Sequence, residues 1–142
     1  MRARILLVED NPGLVEILHK FLSILGYDVS VATTGTEAVR MATAQMPDLI
    51  ILDIMLPEID GLEVASRIRQ NPQTRSLPIL AITANPSFEM KMKSQAVGCD
   101  AFFHKPFTIK RLADTIEKLL KEGEGVKGSP PPRQHGKVEE QA

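Results

Sequence analysis

Hydrophobic positions along the chain follow two alternating patterns: short continuous apolar runs, and longer stretches in which apolar residues recur at helical spacing. Ile5-Leu6-Leu7-Val8 is the first run, and it delivers the acidic pair Glu9-Asp10. Asn11-Pro12 then opens a stretch with Leu14, Val15, Leu18, Phe21, Leu22 and Leu25 on a 3.6-residue period, which predicts a helix closed by Gly26. Tyr27 to Thr33 alternates, with Val29 and Val31 on one side, so an edge strand is expected; Thr36 to Met46 has Ala38, Val39, Ala42 and Met46 on one helical face, ending at Pro47.

The run Leu49-Ile50-Ile51-Leu52, between Pro47 and Pro57, reads as a strand buried on both faces, and it ends at Asp53. Gly61 to Gln70 predicts a third helix with Leu62, Ala65 and Ile68 inward, and Leu77 to Ile82 a fourth strand with Pro78 confined to its start. From Ser87 to Val97 a helix is expected although Phe88, Met90, Met92, Ala96 and Val97 spread over more than one face. Ala101-Phe102-Phe103 is a short strand, and Thr108 to Lys121 a last helix using Ile109, Leu112, Ile116, Leu119 and Leu120. Strand and helix alternate five times. That alternation predicts a layered α/β fold around a parallel sheet.

At 142 residues the chain suits one domain, expected over residues 1–122. Beyond Gly123, Gly, Pro, Lys, Glu and Gln dominate, and 123–142, with Ser129-Pro130-Pro131-Pro132, is expected to be a disordered tail. Hydrophobic content of 43% and charged content of 25% are ordinary, and no apolar run is long enough to span a bilayer. With neither a secretory pattern at Met1-Arg2-Ala3-Arg4 nor a partner for the single cysteine, Cys99, a cytoplasmic location is expected. A net charge of −1 offers no global attraction to nucleic acid.

Candidate chemistry lies at the strand ends. Glu9, Asp10 and Asp53 leave the carboxyl edges of the first and third strands, which a doubly wound sheet can set side by side. Three carboxylates in one pocket require a cation or must be spaced apart, and a hard divalent ion suits oxygen donors. A carboxylate beside such an ion can attack phosphorus to give an acyl phosphate. Thr83 and Lys105, ending the fourth and fifth strands, offer a hydroxyl and a positive charge to phosphoryl oxygens.

Val8-Glu9-Asp10-Asn11, Leu52-Asp53-Ile54-Met55-Leu56-Pro57, Asp60-Gly61, Ile82-Thr83-Ala84 and Lys105-Pro106-Phe107 stand in the order seen in bacterial response-regulator receivers, and the chain resembles that family from about Arg4 to Leu120. The resemblance implies a flavodoxin-like (βα)5 sandwich, its five parallel strands ordered 2-1-3-4-5 with helices on both faces. It implies Asp53 as phospho-acceptor and Mg²⁺, or Mn²⁺, held by Asp10, Asp53, the Met55 backbone carbonyl and Glu9, the last mainly through metal-bound water. Thr83 becomes the switch hydroxyl, Lys105 the phosphate-pairing lysine and Phe102 the aromatic that moves inward after phosphorylation. Similar receivers hold the peptide between Lys105 and Pro106 in the cis form.

The donor implied is a sensor histidine kinase or phosphotransfer protein. The output implied is a changed surface on the fourth helix, fifth strand and fifth helix, including Met90, Lys91, Phe102, His104, Lys110 and Arg111. With no further domain read in the sequence, a stand-alone monomeric switch is expected, with no direct nucleic-acid or membrane partner and no enzymatic activity beyond its own phosphorylation and dephosphorylation. A relay intermediate that passes the phosphoryl group to another histidine, and an unphosphorylated receiver-like interaction module, are the alternatives.

Departures from the commonest pattern carry expectations too. Phe102 lacks a phenolic hydroxyl, so any switch there rests on packing. Met55 cannot orient an attacking water by a strong hydrogen bond, which predicts a persistent phosphoryl group. Two rivals fit less well. A haloacid-dehalogenase-type phosphatase wants a second acid where Met55 stands, and a flavin-binding module wants a phosphate-cradling loop where Glu9-Asp10-Asn11-Pro12 would repel one.

Overall fold

The computed structural model describes residues 2–85, 87–125 and 139–141. Its elements run β1 (Arg4–Val8), α1 (Pro12–Ile24), β2 (Asp28–Ala32), α2 (Gly35–Gln45), β3 (Leu49–Asp53), α3 (Gly61–Gln70), β4 (Ile79–Thr83), α4 (Phe88–Ala96), β5 (Ala101–His104), α5 (Ile109–Gly125) and β6 (Glu139–Gln141). All pairings are parallel, and the sheet order is β2-β1-β3-β4-β5-β6. The first five strands keep the expected 2-1-3-4-5 order.

Every residue of β3 and β4 is buried, as continuous apolar runs in a doubly covered parallel sheet require. Alternate side chains feed two cores. Leu6, Val8, Ile50, Leu52, Ala81 and Phe102 face α2, α3 and α4, whereas Ile5, Leu7, Ile51, Ile82 and Phe103 face α1 and α5. The weakly patterned α4 is a helix in which Ser94 alone is fully buried. Its small contribution to the core explains why its apolar spacing is irregular.

The helices start where polar side chains can satisfy their first amides. Asn11, Thr34, Asp60 and Ser87 each accept from a backbone N–H three residues on, and Thr108 does the same for Arg111 at the head of α5. Helix α2 ends at Met46 in a left-handed conformation, one residue before the expected Pro47 stop. Away from the carboxyl edge, Arg69 on α3 donates to the carbonyls of Gly98, Arg75 and Leu77 and pairs with Asp100 at 3.0 Å. Asp100 also accepts from the N–H of Ile79, so one guanidinium ties α3 to the segments that lead into β4 and β5.

The expected disordered tail needs correcting at both ends. Helix α5 continues through Gly125, and Glu139–Gln141 adds a sixth strand to β5. An edge strand offers a row of unpaired backbone groups, which a nearby segment can pair with whatever its composition. The Pro-rich part, Ser129 to Pro132, lies outside the described residues. Among the described residues no helix is long and apolar enough to cross a membrane.

Candidate functional site

Strands β1 and β3 are neighbours with Val8 opposite Leu52, so Glu9 and Asp53 leave the same edge of the sheet side by side. One carboxylate oxygen from each of Glu9, Asp53 and Asp10 lies within 4.8 Å of the other two. Glu9 and Asp53 are buried, and Asp10 is exposed. Each buried carboxylate is oriented by a main-chain donor two residues on: the Asn11 N–H donates to Glu9 Oε2 at 3.1 Å and the Met55 N–H to Asp53 Oδ1 at 2.9 Å. Asn11 therefore both caps α1 and aims Glu9, a double role its place in the sequence does not advertise.

Lys105 reaches the cluster from the end of β5, 96 residues from Glu9. Its Nζ lies 3.1 Å from Glu9 Oε1 and 3.2 Å from Asp53 Oδ2, and the Lys105–Pro106 peptide is cis. Burial pushes the Glu9 carboxyl above its usual range; the Asp53 charge adds to that, while the Asn11 amide and Lys105 oppose it. Burial alone would lower the Lys105 ammonium, but the charges of Asp53 and Glu9 outweigh it and the net shift is upward. One cation against two buried carboxylates leaves the pocket net negative, with Asp10 at its rim. That donor set fits a hard divalent cation such as Mg²⁺.

Thr83 is fully buried at the same edge, one residue beyond the Asp53–Ile82 register pair, and its hydroxyl accepts from the Asn85 N–H at 3.0 Å. Met55 is 56% exposed at the pocket mouth. Phe102, by contrast, is 3% exposed and belongs to the core on the α2, α3 and α4 face of the sheet. It thus occupies the inner position in this structure and is not part of the exposed α4–β5–α5 surface, because alternation along β5 turns it into one core and Phe103 into the other, against Phe107 at 5.7 Å. Met90, Lys91, His104 and Arg111 are half-buried on that surface and Lys110 is exposed.

Two glycines shape the loop that presents Asp53. A Cβ on Gly61 would lie 2.5 Å from the Asp53 carbonyl oxygen, and one on Gly35 2.4 Å from that of Ile59. Only glycine lets the head of α3 and the head of α2 approach the β3–α3 loop so closely. The motif Asp60-Gly61 thereby acquires a physical meaning, a helix cap beside a backbone contact.

The sequence matches the family model described as "Response regulator receiver domain" over residues 5–117. The chain belongs to the response-regulator receiver family. This receiver is 34% identical over 118 residues to the DNA-binding dual master transcriptional regulator RpaA of a Synechocystis strain, covering 83% of the chain and 49% of that protein. It is 37% identical over 124 residues to the alkaline phosphatase synthesis regulator PhoP of Bacillus subtilis, covering 87% and 51%. The chain thus spans about half the length of the curated relatives it matches. Among solved structures it resembles the chemotaxis regulator CheY4 of Vibrio cholerae, with TM-score 0.79, 31% identity and coverage of 84% and 99% of the two chains. It also resembles the receiver of the sensor histidine kinase PA1611 of Pseudomonas aeruginosa, with TM-score 0.80, 33% identity and coverage of 85% and 99%. That second structure holds a magnesium ion in its active-site cleft.

Proposed function

We propose that this receiver is a phosphorylation-activated switch of a two-component pathway, acting in the cytoplasm and accepting its phosphoryl group on Asp53. The observation that carries the reading is the placement of Lys105 Nζ 3.2 Å from Asp53 Oδ2 while Oδ1 is tied to the Met55 N–H. Oδ2 is then the nucleophile. Its lone pair forms the P–O bond as the P–N bond of a phosphohistidine, on a sensor histidine kinase or a phosphotransfer protein, breaks and the imidazole departs. Asp10, Asp53, the Met55 carbonyl and, through water, Glu9 would hold Mg²⁺ or Mn²⁺, which when bound offsets the negative charge of carboxylates and phosphoryl oxygens. Lys105 stands ready for those oxygens with its charge already in place, so little reorganisation is needed as charge develops.

The output reading follows from the same edge. A phosphoryl oxygen on Asp53 can accept from the Thr83 O–H, whose oxygen accepts from the Asn85 N–H, and movement of Thr83 toward it repopulates the positions open to Phe102 on the adjoining strand. Because Phe102 sits inward here, the switch is an exchange between this arrangement and an outward one, with the thinly packed α4 as the yielding element. Met90, Lys91, His104, Lys110 and Arg111 form the surface a downstream protein reads.

The test is intact-mass spectrometry after incubation with acetyl phosphate, with and without Mg²⁺. The parent chain should gain one phosphoryl group only with Mg²⁺, and Asp53→Asn should gain none. A folded chain that takes up no phosphoryl group overturns the reading in favour of a constitutive interaction module.

A further inference from the structure

Strand β6 is unaccounted for by the phosphoacceptor site. Glu139–Gln141 pairs in parallel with β5 in the register Ala101↔Glu139, Phe102↔Glu140 and Phe103↔Gln141. It covers the outer edge of β5, which lies between α4 on one face of the sheet and α5 on the other. Helix α5 brings the chain back to the opposite end of the sheet, with Gly123 beside Pro78 just before β4. From there thirteen residues, 126–138, separate Gly125 from Glu139.

We propose that Glu139–Gln141 is an intramolecular strand ligand for β5, occupying the edge of the output surface and holding the strand that carries Phe102. Only three residues pair, so the segment is displaceable. A partner that docks by adding an extended segment to this edge must first release it. The register puts Glu140 opposite Phe102, so pairing restrains the backbone of the residue whose position the switch exchanges. Because the inward seat that this pairing holds is also the one expected after phosphorylation, pairing and phosphorylation are then linked, each favouring the other. This second step rests on the proposed function, whereas the pairing itself does not.

The experiment is amide hydrogen exchange followed by NMR on the full 142-residue chain. The parent is compared with Gln141→Pro, which removes a backbone donor that faces β5 beside Phe102, and with Gln141→Ala, which keeps it. Without any phosphoryl donor, the amides of Phe102 and His104, which face β6, should exchange about tenfold or more faster in Gln141→Pro than in the parent, with β1 and β3 unchanged and Gln141→Ala like the parent. Equal exchange in all three chains overturns the pairing. With acetyl phosphate and Mg²⁺, and with phosphorylation of Asp53 verified by mass, protection of Glu139–Gln141 should rise in the parent. Unchanged protection on a phosphorylated chain overturns the linkage alone. Failure to phosphorylate instead overturns the phosphoacceptor reading, and the linkage with it, while leaving the first comparison intact.

Discussion

Replacing Lys105 with Met removes the ammonium that lies 3.1 Å from Glu9 and 3.2 Å from Asp53 and leaves two buried carboxylates facing each other. Breaking a buried ion pair from one side costs about 3–5 kcal/mol, because the remaining charge is uncompensated. Proton uptake sets a limit here, since the pair can bind one proton instead of staying doubly charged. A carboxyl that ionises near 4.3 when unfolded is protonated at pH 7.5 at a cost of about 4 kcal/mol, and at pH 5.5 of about 1.6 kcal/mol. In the variant the carboxyl pair has a folded pKa above its unfolded value, so the folded state binds more protons and stability falls as pH rises between the two. The variant's deficit should therefore approach about 4 kcal/mol near pH 7.5 and shrink by about 1.4 kcal/mol per unit as pH falls toward 5.5.

Glu9 in the parent is shifted in the same direction, by burial first and Asp53 second, with Lys105 opposing. The raised Lys105 pKa gives stability that is fully present below about 10.5 and lost as pH rises through the folded value. Urea titrations followed by far-UV circular dichroism measure the effect, which suits a chain with no Trp and one Tyr. Adding Mg²⁺ should recover more stability in the variant than in the parent, since the cation replaces the lost positive charge. A deficit below about 1 kcal/mol that does not change between pH 5.5 and 7.5 would refute the idea that Lys105 balances these carboxylates.

Three further substitutions probe separate parts of the structure. Met55→Asn places an amide at the exposed mouth of the pocket, and one added hydrogen bond to an attacking water, about 1 kcal/mol, should shorten the phosphoryl lifetime about fivefold; an unchanged decay of the phosphorylated mass sinks that account. Gly61→Ala drives a Cβ into the Asp53 carbonyl, so it should lower stability by about 1–3 kcal/mol in urea titrations and slow phosphorylation by acetyl phosphate, and normal values for both would show that the loop yields freely. Arg69→Met strips donors from the carbonyls of Gly98, Arg75 and Leu77 and leaves Asp100 with the Ile79 amide alone from this cluster, for an expected loss of about 3 kcal/mol with the pocket chemistry unaltered. A matching loss of phosphorylation in the still-folded chain would contradict that separation.

Strand and helix identity was legible in the chain because each pattern is local. Leu49 to Leu52 reads as a doubly buried strand, and the helices expected to open at Asn11-Pro12, Gly61 and Ser87 do begin there, whereas α2 starts at Gly35, capped by Thr34, one residue ahead of the expected Thr36. The carboxylates of the site were legible for the same reason, each standing at the end of an apolar run. Strand order entered only through family resemblance, since nothing in a single run of residues says which neighbour it pairs with. The tertiary structure alone decided the Lys105 contacts across 96 and 52 residues, the clamp of Arg69 on Asp100 across 31, and the inward seat of Phe102. It also decided that Glu139–Gln141, polar and without a strand pattern, pairs with β5. Backbone groups on an open edge accept any extended neighbour, so composition there carries no signal, whereas burial of side chains leaves its period in the sequence.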